Sequence, residues 1–255
     1  MKLVLDVGNS AVKVGVYDSG APRVERLSRM PEGPLEWSAD LADWLATHEV
    51  DASALNGSAL ASVVPSATAG AALALATLTG RPPLLLRPLP PNLPVYIRYT
   101  PRESLGQDRL AAAIGAVAHV SAPCIVWSLG TAFTGTLVDP SRAILGGCIL
   151  PGPDLGARAL SEHTALLPLV TLDALDDEVL ACVGEDTEAS IRVGLIEGAI
   201  GAVERLTTLY RARLGERTPV VVTGGWASRL QPHVHIASPL VFAPNLVLDG
   251  LASLL

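Results

Sequence analysis

The chain begins with two β-rich segments separated by a short polar turn. Lys2 to Val7 and Ala11 to Tyr17 are rich in valine, and Gly8-Asn9-Ser10 stands between them. A short turn containing Gly and Asn between two such segments is typical of a β-hairpin. We therefore predict an antiparallel pair of strands in this part of the sequence.

The same pattern returns in the middle of the chain. Cys124 to Leu129 predicts a strand, Gly130-Thr131-Ala132 a turn, and Phe133 to Val138 a return strand. A hairpin that recurs in the second half indicates a duplicated fold. Aligning the two turns by their glycines pairs Asp6 with Ser128, Gly8 with Gly130 and Asn9 with Thr131.

Helical periodicity is found between these strands. Apolar residues recur at helical spacing in Leu41 to Leu45, in Ala67 to Leu78 and in Glu103 to Val120. The proline-rich segment from Pro82 to Pro101 predicts an irregular connection. The longest predicted helix is Thr187 to Leu214, and its small residues Gly194, Gly198 and Gly201 would let another helix approach closely.

A third turn lies near the end of the sequence. Pro219 to Val222 is typical of a buried strand, Thr223-Gly224-Gly225 follows it, and Trp226 to Leu230 predicts a helix. Strands and helices thus alternate along the whole sequence. This order predicts an α/β protein with two lobes.

Composition supports a globular protein with a sizeable core. The chain has 255 residues, of which 49% are hydrophobic and 17% charged, and this balance argues against disorder. The net charge of −7, without any basic run, argues against a nucleic-acid surface. Asp6 interrupts the first apolar stretch, so we expect no signal peptide, and no apolar stretch is long enough to span a membrane. We expect a cytoplasmic protein.

The three cysteines are far apart in the sequence. Cys124, Cys148 and Cys182 are odd in number and have no neighbouring Cys or His at ligand spacing. Small buried hydrophobic residues in a reducing compartment explain them better than a metal site or disulfides.

The first turn has the composition of a phosphate-binding site. Glycine lets a phosphate approach the backbone closely, and Asn9 and Ser10 can donate hydrogen bonds. Asp6, at the strand end, could orient Mg²⁺ through water, and Lys13 could reach the terminal phosphates. The alternative is an ordinary hairpin in which Asp6 merely caps the turn.

The second and third turns could contribute further contacts to the same nucleotide. Gly130-Thr131 could be a second clamp on the phosphates from the other lobe. Gly224-Gly225 could allow a flat approach by ribose or adenine, and the following helix N-terminus would favour a phosphate. Each could also be a plain turn, but several such turns in one chain favour a nucleotide site.

Another candidate segment opens the third predicted helix. In Leu105-Gly106-Gln107-Asp108-Arg109, Asp108 could accept the proton of an acceptor hydroxyl. Arg109 could bind an anionic group of the acceptor with two parallel hydrogen bonds. The alternative is a solvated pair of charges on a helix surface.

Taken in order, these motifs resemble type III pantothenate kinases. The resemblance covers essentially the whole chain, because several further segments follow the same family pattern. They are Tyr99 and Pro101, Leu129 to Asp139, Gly146-Gly147 with Ile149, Pro151-Gly152, Thr164 to Pro168, Thr187 ahead of Gly194, and Asn245 to Leu251. The family belongs to the superfamily of acetate and sugar kinases, heat-shock ATPases and actin.

The resemblance implies a duplicated, actin-like (ribonuclease H-like) α/β fold with a nucleotide cleft between two lobes. The lobes would comprise residues 1–120 and 121–255, with the last helix packing back on the first lobe. It also implies ATP-dependent, Mg²⁺-dependent phosphorylation of pantothenate, the first step toward coenzyme A, by a homodimer. By analogy Asp108 is the general base, and other residues resemble family contacts. Those for ATP are Asp6, Gly8, Asn9, Ser10, Lys13, Gly130, Thr131, Gly224 and Gly225, and those for pantothenate are Tyr99, Gly106, Gln107, Asp108, Arg109 and Thr187.

Three residues depart from the family pattern. Ser128 stands where the family has an Asp associated with a monovalent cation, K⁺ or NH₄⁺, and Thr136 replaces a second carboxylate. Gln107 replaces a small residue before Asp108. Three explanations are open. The enzyme could work without the ion or with a weaker cation site, or it could phosphorylate a related hydroxyl compound. It could also be an inactive protein that keeps only ligand binding and serves as a regulatory partner. A sugar kinase of the same superfamily is a further alternative.

Overall fold

The structure, a computed structural model, describes residues 1–172 and 183–255. Cys182 lies outside the described residues. Within them, Cys124 is buried, which raises the pKa of its thiol to about 12, and Cys148 is partly buried. Two units are distinguished: unit 1 is Met1–Ser121, Arg142–Ile144 and Asn245–Leu255, and unit 2 is Ala122–Ser141 and Leu145–Pro244.

Unit 1 is built on a five-stranded sheet with the order β3-β2-β1-β4-β5. The first two strands form the predicted antiparallel hairpin, and β4 and β5 run parallel to β1 and β4 respectively. Valine and leucine supply most residues of the hairpin, as expected for half-buried strands. The strands are β1 Lys2–Val7, β2 Val12–Tyr17, β3 Arg23–Arg26, β4 Gly57–Ser62 and β5 Leu84–Leu85.

Helices cover both faces of this sheet. Leu3, Leu5 and Val7 pack with α1 and α2 in one apolar cluster, and α3 and α7 pack together on the opposite face, where Leu248 lies near Gly15. Prolines at the first turn of α1 and α2 favour those starts. The helices are α1 Pro34–Thr47, α2 Pro65–Thr79, α3 Gln107–Val120 and α7 Leu246–Ser253.

Unit 2 repeats the sheet order of unit 1. Its strands run β9-β8-β7-β10-β11, with β7 and β8 antiparallel and with β10 and β11 parallel to β7 and β10 respectively. The second hairpin and the duplicated α/β fold predicted from the sequence are therefore confirmed. The strands are β7 Cys124–Leu129, β8 Ala132–Val138, β9 Ala143–Pro151, β10 Val220–Thr223 and β11 Leu240–Phe242.

One face of the unit 2 sheet carries a large core. Trp127 and Phe133 are fully buried there, and Ile196 and Val203 of the long helix pack against them. The indole N–H of Trp127 donates to Thr207 of the same helix at 2.9 Å. The helices of unit 2 are α4 Pro153–His163, α5 Thr187–Leu214 and α6 Ala227–Leu230.

The proline-rich segment is more regular than predicted. It contains β5 and also β6, Tyr96–Ile97, which pairs in parallel with Ala143 and Ile144 of unit 1. The predicted helix from Glu103 to Val120 is divided into a short 3₁₀ helix, Arg102–Ser104, and α3. None of the helices in the described ranges has the length and apolar character that crossing a bilayer requires.

Candidate active site

Asp6 and Lys13 lie side by side on one face of the unit 1 sheet. They are directly opposite each other in the β1–β2 register. Side chains alternate along a strand, and Leu5 and Val7 point into the core with α1 and α2. Asp6 and Lys13 therefore point to the other face, where α3 and α7 lie.

Asp108 brings a second carboxylate to the same region. It lies in the first turn of α3, where the helix dipole favours a negative charge. The pKa of Asp6 is raised from 3.8 to about 7. Burial is the largest cause of this shift, the negative charge of Asp108 adds to it, and the positive charge of Lys13 opposes it. Two interacting carboxylates with one lysine are typical of a catalytic site.

This shift predicts a pH-dependent stability. Between about pH 4 and 7 the folded protein holds a proton on Asp6 that the unfolded chain releases, so the free energy of unfolding falls as pH rises through this window. In the presence of EDTA, Asp6→Asn should therefore raise Tm more at about pH 8 than at about pH 5. Thermal melts at both pH values check this. An equal fall in Tm at both would contradict the assigned pKa.

The first turn is closed by its own backbone. The Gly8 N–H donates to the carbonyl oxygen of Ala11 at 2.9 Å, and Arg26 donates to the carbonyl oxygen of Ser10 at 2.8 Å. Asn9 and Ser10 are exposed at the tip. A ligand of this turn would therefore meet Asn9 and Ser10 first, while Gly8 shapes the turn.

Hydrogen bonds to neighbouring segments hold Asp108 in place. The Gln107 amide donates to the carbonyl oxygen of Ser62 at the end of β4, at 2.8 Å. Arg87 donates to the carbonyl oxygen of Leu105 at 2.7 Å. A Cβ at position 106 would lie 2.5 Å from Oδ1 of Asp108, so any side chain there would displace this carboxylate. Gln107, the departure from the family pattern, thus ties the start of α3 to β4.

Arg109 does not belong to a solvated surface pair. It is only 5% exposed, and its guanidinium lies 5.6 Å from the ring centre of Tyr99, within the range of a cation–π interaction. The surface alternative considered for this segment is therefore wrong for Arg109. Unit 1 thus places both predicted acceptor contacts, Tyr99 and Arg109, against each other.

In unit 2 the second and third turns contact each other. The Trp226 N–H donates to the carbonyl oxygen of Leu129 at 2.9 Å. Gly224 has φ +104°, and a Cβ there would overlap the backbone of Leu129. The Gly152 N–H donates to the carbonyl oxygen of Thr131 at 2.9 Å. These contacts fix the backbone of Gly130-Thr131 next to Gly224.

Three residues that support this arrangement, Trp226, Asp154 and Arg229, had no such role in the sequence-based prediction. The Trp226 indole donates to Asp154 of α4 at 2.9 Å, and Arg229 lies 3.8 Å above the Trp226 ring. A lone tryptophan after a glycine pair carries no signal for such a role. The helix after Gly225, α6, has only four residues, so its dipole is short, and the contribution of its N-terminus to phosphate binding stays a prediction.

Thr187 is the first residue of α5, as predicted, but it does not cap the helix. Asp186 is the cap, and its carboxylate accepts from the Ala189 N–H at 2.8 Å. Thr187 is exposed and lines a surface cavity together with Leu160, Ser190 and Gly194. Its hydroxyl is therefore accessible to a ligand or a partner.

The duplicated α/β fold, with the same sheet order in both units, places the chain in the actin-like fold class. Among solved structures, the chain resembles acetate kinase from Entamoeba histolytica with a TM-score of 0.51 and 10% identity, covering 99% of both chains. It also resembles a conserved Campylobacter jejuni protein described as a Baf family transcriptional activator. That likeness has a TM-score of 0.57 and 18% identity, and covers 98% of this chain and 96% of the other.

The family follows from the sequence comparisons. A model described as type III pantothenate kinase matches residues 2–209. Type III pantothenate kinases from Treponema pallidum and Thermomicrobium roseum are each 34% identical to this chain, which covers 92% and 96% of their lengths. The alignments cover 98% and 99% of this chain. The chain belongs to the type III pantothenate kinase family.

Proposed function

We propose that the protein transfers the γ-phosphate of ATP to the primary hydroxyl of pantothenate, forming 4'-phosphopantothenate. The observation that carries this proposal is the placement of Asp108 on the face of unit 1 that also holds Asp6 and Lys13. Two relatives that are 34% identical to this chain over nearly its whole length are named type III pantothenate kinases. We expect the reaction in the cytoplasm, where ATP is available.

Asp108 acts as the general base in this proposal. Its carboxylate accepts the proton of the hydroxyl as the hydroxyl oxygen attacks the γ-phosphorus. Phosphoryl transfer depends mainly on positioning and charge neutralisation. The hydrogen bonds of Gln107 and Arg87 serve the positioning, because they fix the segment that presents Asp108.

Asp6 is suited to hold Mg²⁺ through water. Residues 1–172 and 183–255 contain no cluster of three or more His, Cys, Asp or Glu side chains that could enclose a metal. Mg²⁺ usually keeps several waters and is held by one or two carboxylates plus substrate phosphates. Its charge neutralises the phosphates when it is bound and favours the ionised form of Asp6.

The turns supply the remaining ATP contacts. Asn9 and Ser10 are exposed at the tip of the first turn, and Lys13 lies beside Asp6. In unit 2, the fixed backbone around Leu129 supports phosphate binding by the second turn and nucleoside binding by the third. The ATP contacts proposed are Asp6, Gly8, Asn9, Ser10, Lys13, Gly130, Thr131, Gly224 and Gly225.

Pantothenate would be bound by the segment around Asp108. The carboxylate of pantothenate is a suitable partner for a buried guanidinium such as that of Arg109. Tyr99, whose ring centre lies 5.6 Å from the Arg109 guanidinium, would shape the same subsite. Gly106, Gln107 and Thr187 complete the proposed substrate contacts.

An ADP-release assay on the purified protein tests this function. ATP, Mg²⁺ and pantothenate should yield ADP, and omission of either pantothenate or Mg²⁺ should remove the signal. Glucose and acetate serve as competing acceptors and should give no ADP. If a sugar replaced pantothenate as the better acceptor, the sugar-kinase alternative would be correct.

A second candidate is a silent binding protein that senses ATP or pantothenate. The neutral residues Ser128 and Thr136, where the family has carboxylates, favour it. In that case the natural protein would bind ADP without turnover, and Ser128→Asp would create activity. A natural protein that turns over pantothenate excludes this candidate.

We also propose a homodimer formed through α5. Thr187, Ser190, Gly194, Gly198 and Gly201 are exposed at helical spacing along one side of this helix. A Cβ at each of the three glycines would meet no atom within 4 Å. This exposed stripe of small residues would let the same helix of a second copy approach closely.

Substitution within this stripe tests the dimer. Gly198→Arg should yield a monomer in light scattering, because the new side chain has room in the monomer but would obstruct the partner helix. Gly20→Arg, in an exposed loop of unit 1, should keep the wild-type mass. If both variants kept the same mass as the wild type, α5 would not be the interface.

A further inference from the structure

Thr134 takes a distinctive place beside the second turn. It lies in β8 directly opposite Ser128 of β7, while Lys13 lies directly opposite Asp6 in the first hairpin. Because the two sheets share one strand order, Thr134 occupies in unit 2 the position that Lys13 has in unit 1. The charged pair of the first hairpin thus corresponds to a pair of hydroxyls in the second.

These hydroxyls share one face of the unit 2 sheet. Trp127 and Phe133 point into the core with α5, and because side chains alternate, Ser128 and Thr134 point the other way. The register adds two more threonines to this face: Thr136, opposite Val126, and Thr223, beside Ser128.

The Thr134 hydroxyl has an unused hydrogen-bonding capacity. The residue is 8% exposed, and its Oγ1 has no hydrogen-bond partner among the described residues. A buried hydroxyl without a partner is unfavourable for the folded protein. Since a hydroxyl can donate as well as accept, a bound ligand at this place would remove that disadvantage.

The chemistry of this face fits an anion and does not fit a cation. Strands β7, β8 and β10 contain no Asp or Glu. A K⁺ or NH₄⁺ ion placed there would lose water without gaining a carboxylate ligand from these strands as compensation. Hydroxyl groups, in contrast, donate strong hydrogen bonds to charged phosphate oxygens.

We propose that the Thr134 hydroxyl donates a hydrogen bond to a phosphate oxygen of the nucleotide, and that the Ser128–Thr134 pair takes the place of a monovalent cation. The inference rests on the proposed function, because the second turn must bind the phosphates. Thr134 is then a binding residue, and nucleotide binding is independent of K⁺ and NH₄⁺.

Thr134→Val is the informative variant because valine has nearly the same shape and no hydroxyl. In calorimetric titrations with ADP and Mg²⁺, its affinity should be about tenfold lower than that of the wild type, and Thr134→Ser should retain most of the affinity. The Tm of the free Thr134→Val variant should equal or exceed that of the wild type, because an unpaired hydroxyl has been removed. A lower affinity with an unreduced Tm cannot come from a merely structural role.

Thr207→Val is the matched control. Thr207 is also buried, with 2% exposure, but its oxygen accepts a hydrogen bond from the Trp127 indole at 2.9 Å. This change should lower Tm and leave the affinity for ADP unchanged. If Thr134→Val behaved in the same way, Thr134 would have a structural partner and the inference would be wrong.

The cation is tested in the same titrations. The affinity of the wild type for ADP should agree within about twofold between potassium chloride and tetramethylammonium chloride, whose cation is too large to coordinate. A tenfold higher affinity in potassium chloride would show that the site uses a monovalent cation and would overturn the inference. If the wild type bound ADP and phosphorylated pantothenate, and Thr134→Val bound ADP equally well, this inference would be wrong while the proposed function would stand. A wild type that neither binds ADP nor phosphorylates pantothenate would refute the proposed function and this inference with it.

Discussion

Asp108→Asn should lower kcat by roughly 10³-fold while the affinity for ADP changes little. Asparagine has the shape of aspartate but cannot accept the proton of the attacking hydroxyl. The ADP-release assay measures kcat, and calorimetry measures ADP binding. The variant should also lower the pKa of Asp6, since the negative charge of Asp108 helps to raise it.

A second carboxylate of unit 1 provides the control for this experiment. Asp18 is exposed and accepts a hydrogen bond from the Gly20 N–H at 2.7 Å, outside the proposed site. Asp18→Asn should keep the wild-type kcat. If Asp108→Asn kept more than about a tenth of the wild-type kcat, another group would have to be the base.

Gly250→Ala should lower the free energy of unfolding by roughly 3 kcal/mol or more. Gly250 of α7 packs directly on α3, and a Cβ there would overlap the carbonyl group of Ala111. The two helices would have to move apart, and Asp108 at the start of α3 would move with them. Urea denaturation measures the loss, and the ADP-release assay should show reduced kcat in the folded fraction.

Ser253→Ala, in the same helix, is the matched control. Ser253 is exposed, and its hydroxyl only donates to the carbonyl oxygen of Gly250 at 2.7 Å. Its free energy of unfolding should stay within about 0.5 kcal/mol of the wild-type value. Equal stability of Gly250→Ala and Ser253→Ala would show that α3 and α7 do not need this close approach.

The hairpins could be predicted because their information is local. Valine-rich segments around short glycine turns specify two adjacent strands, and β1, β2, β7 and β8 agree with the prediction within one residue. The length of α5 was also predicted, since its helical periodicity is continuous from Thr187 to Leu214. These elements depend little on distant contacts.

Other elements depend on tertiary contacts and gave no local signal. β4 consists mostly of small residues and becomes a strand by pairing with β1. β5 and β6 have two residues each and are fixed by their partners. The Pro82 to Pro101 segment therefore looked irregular although it contributes to both sheets.

The active site likewise combines features that have a local sequence signal with features that depend on tertiary contacts. The composition of each turn indicated phosphate binding, but no spacing rule brings Asp108 next to Asp6 across the intervening helices. The resemblance to the family supplied that pairing as an expectation. The roles of Gln107, which reaches Ser62, and of Trp226, which reaches Asp154, became visible only with the hydrogen bonds of the folded chain.

The pairing of Thr134 with Ser128 could be derived only after the loop length was known. The β7–β8 register depends on how many residues close the turn, and a shift by one residue would move Thr134 to the opposite face. Its lack of a hydrogen-bond partner follows from packing and cannot be read from sequence.

A crystal structure with ADP, Mg²⁺ and pantothenate tests the central claim most directly. The distance to be measured joins the carboxylate oxygens of Asp108 to the primary hydroxyl oxygen of pantothenate. We expect about 2.6–3.2 Å, the range in which a general base accepts a proton. A pantothenate bound with this hydroxyl beyond reach of Asp108, even through a single water, would contradict the proposed catalytic role.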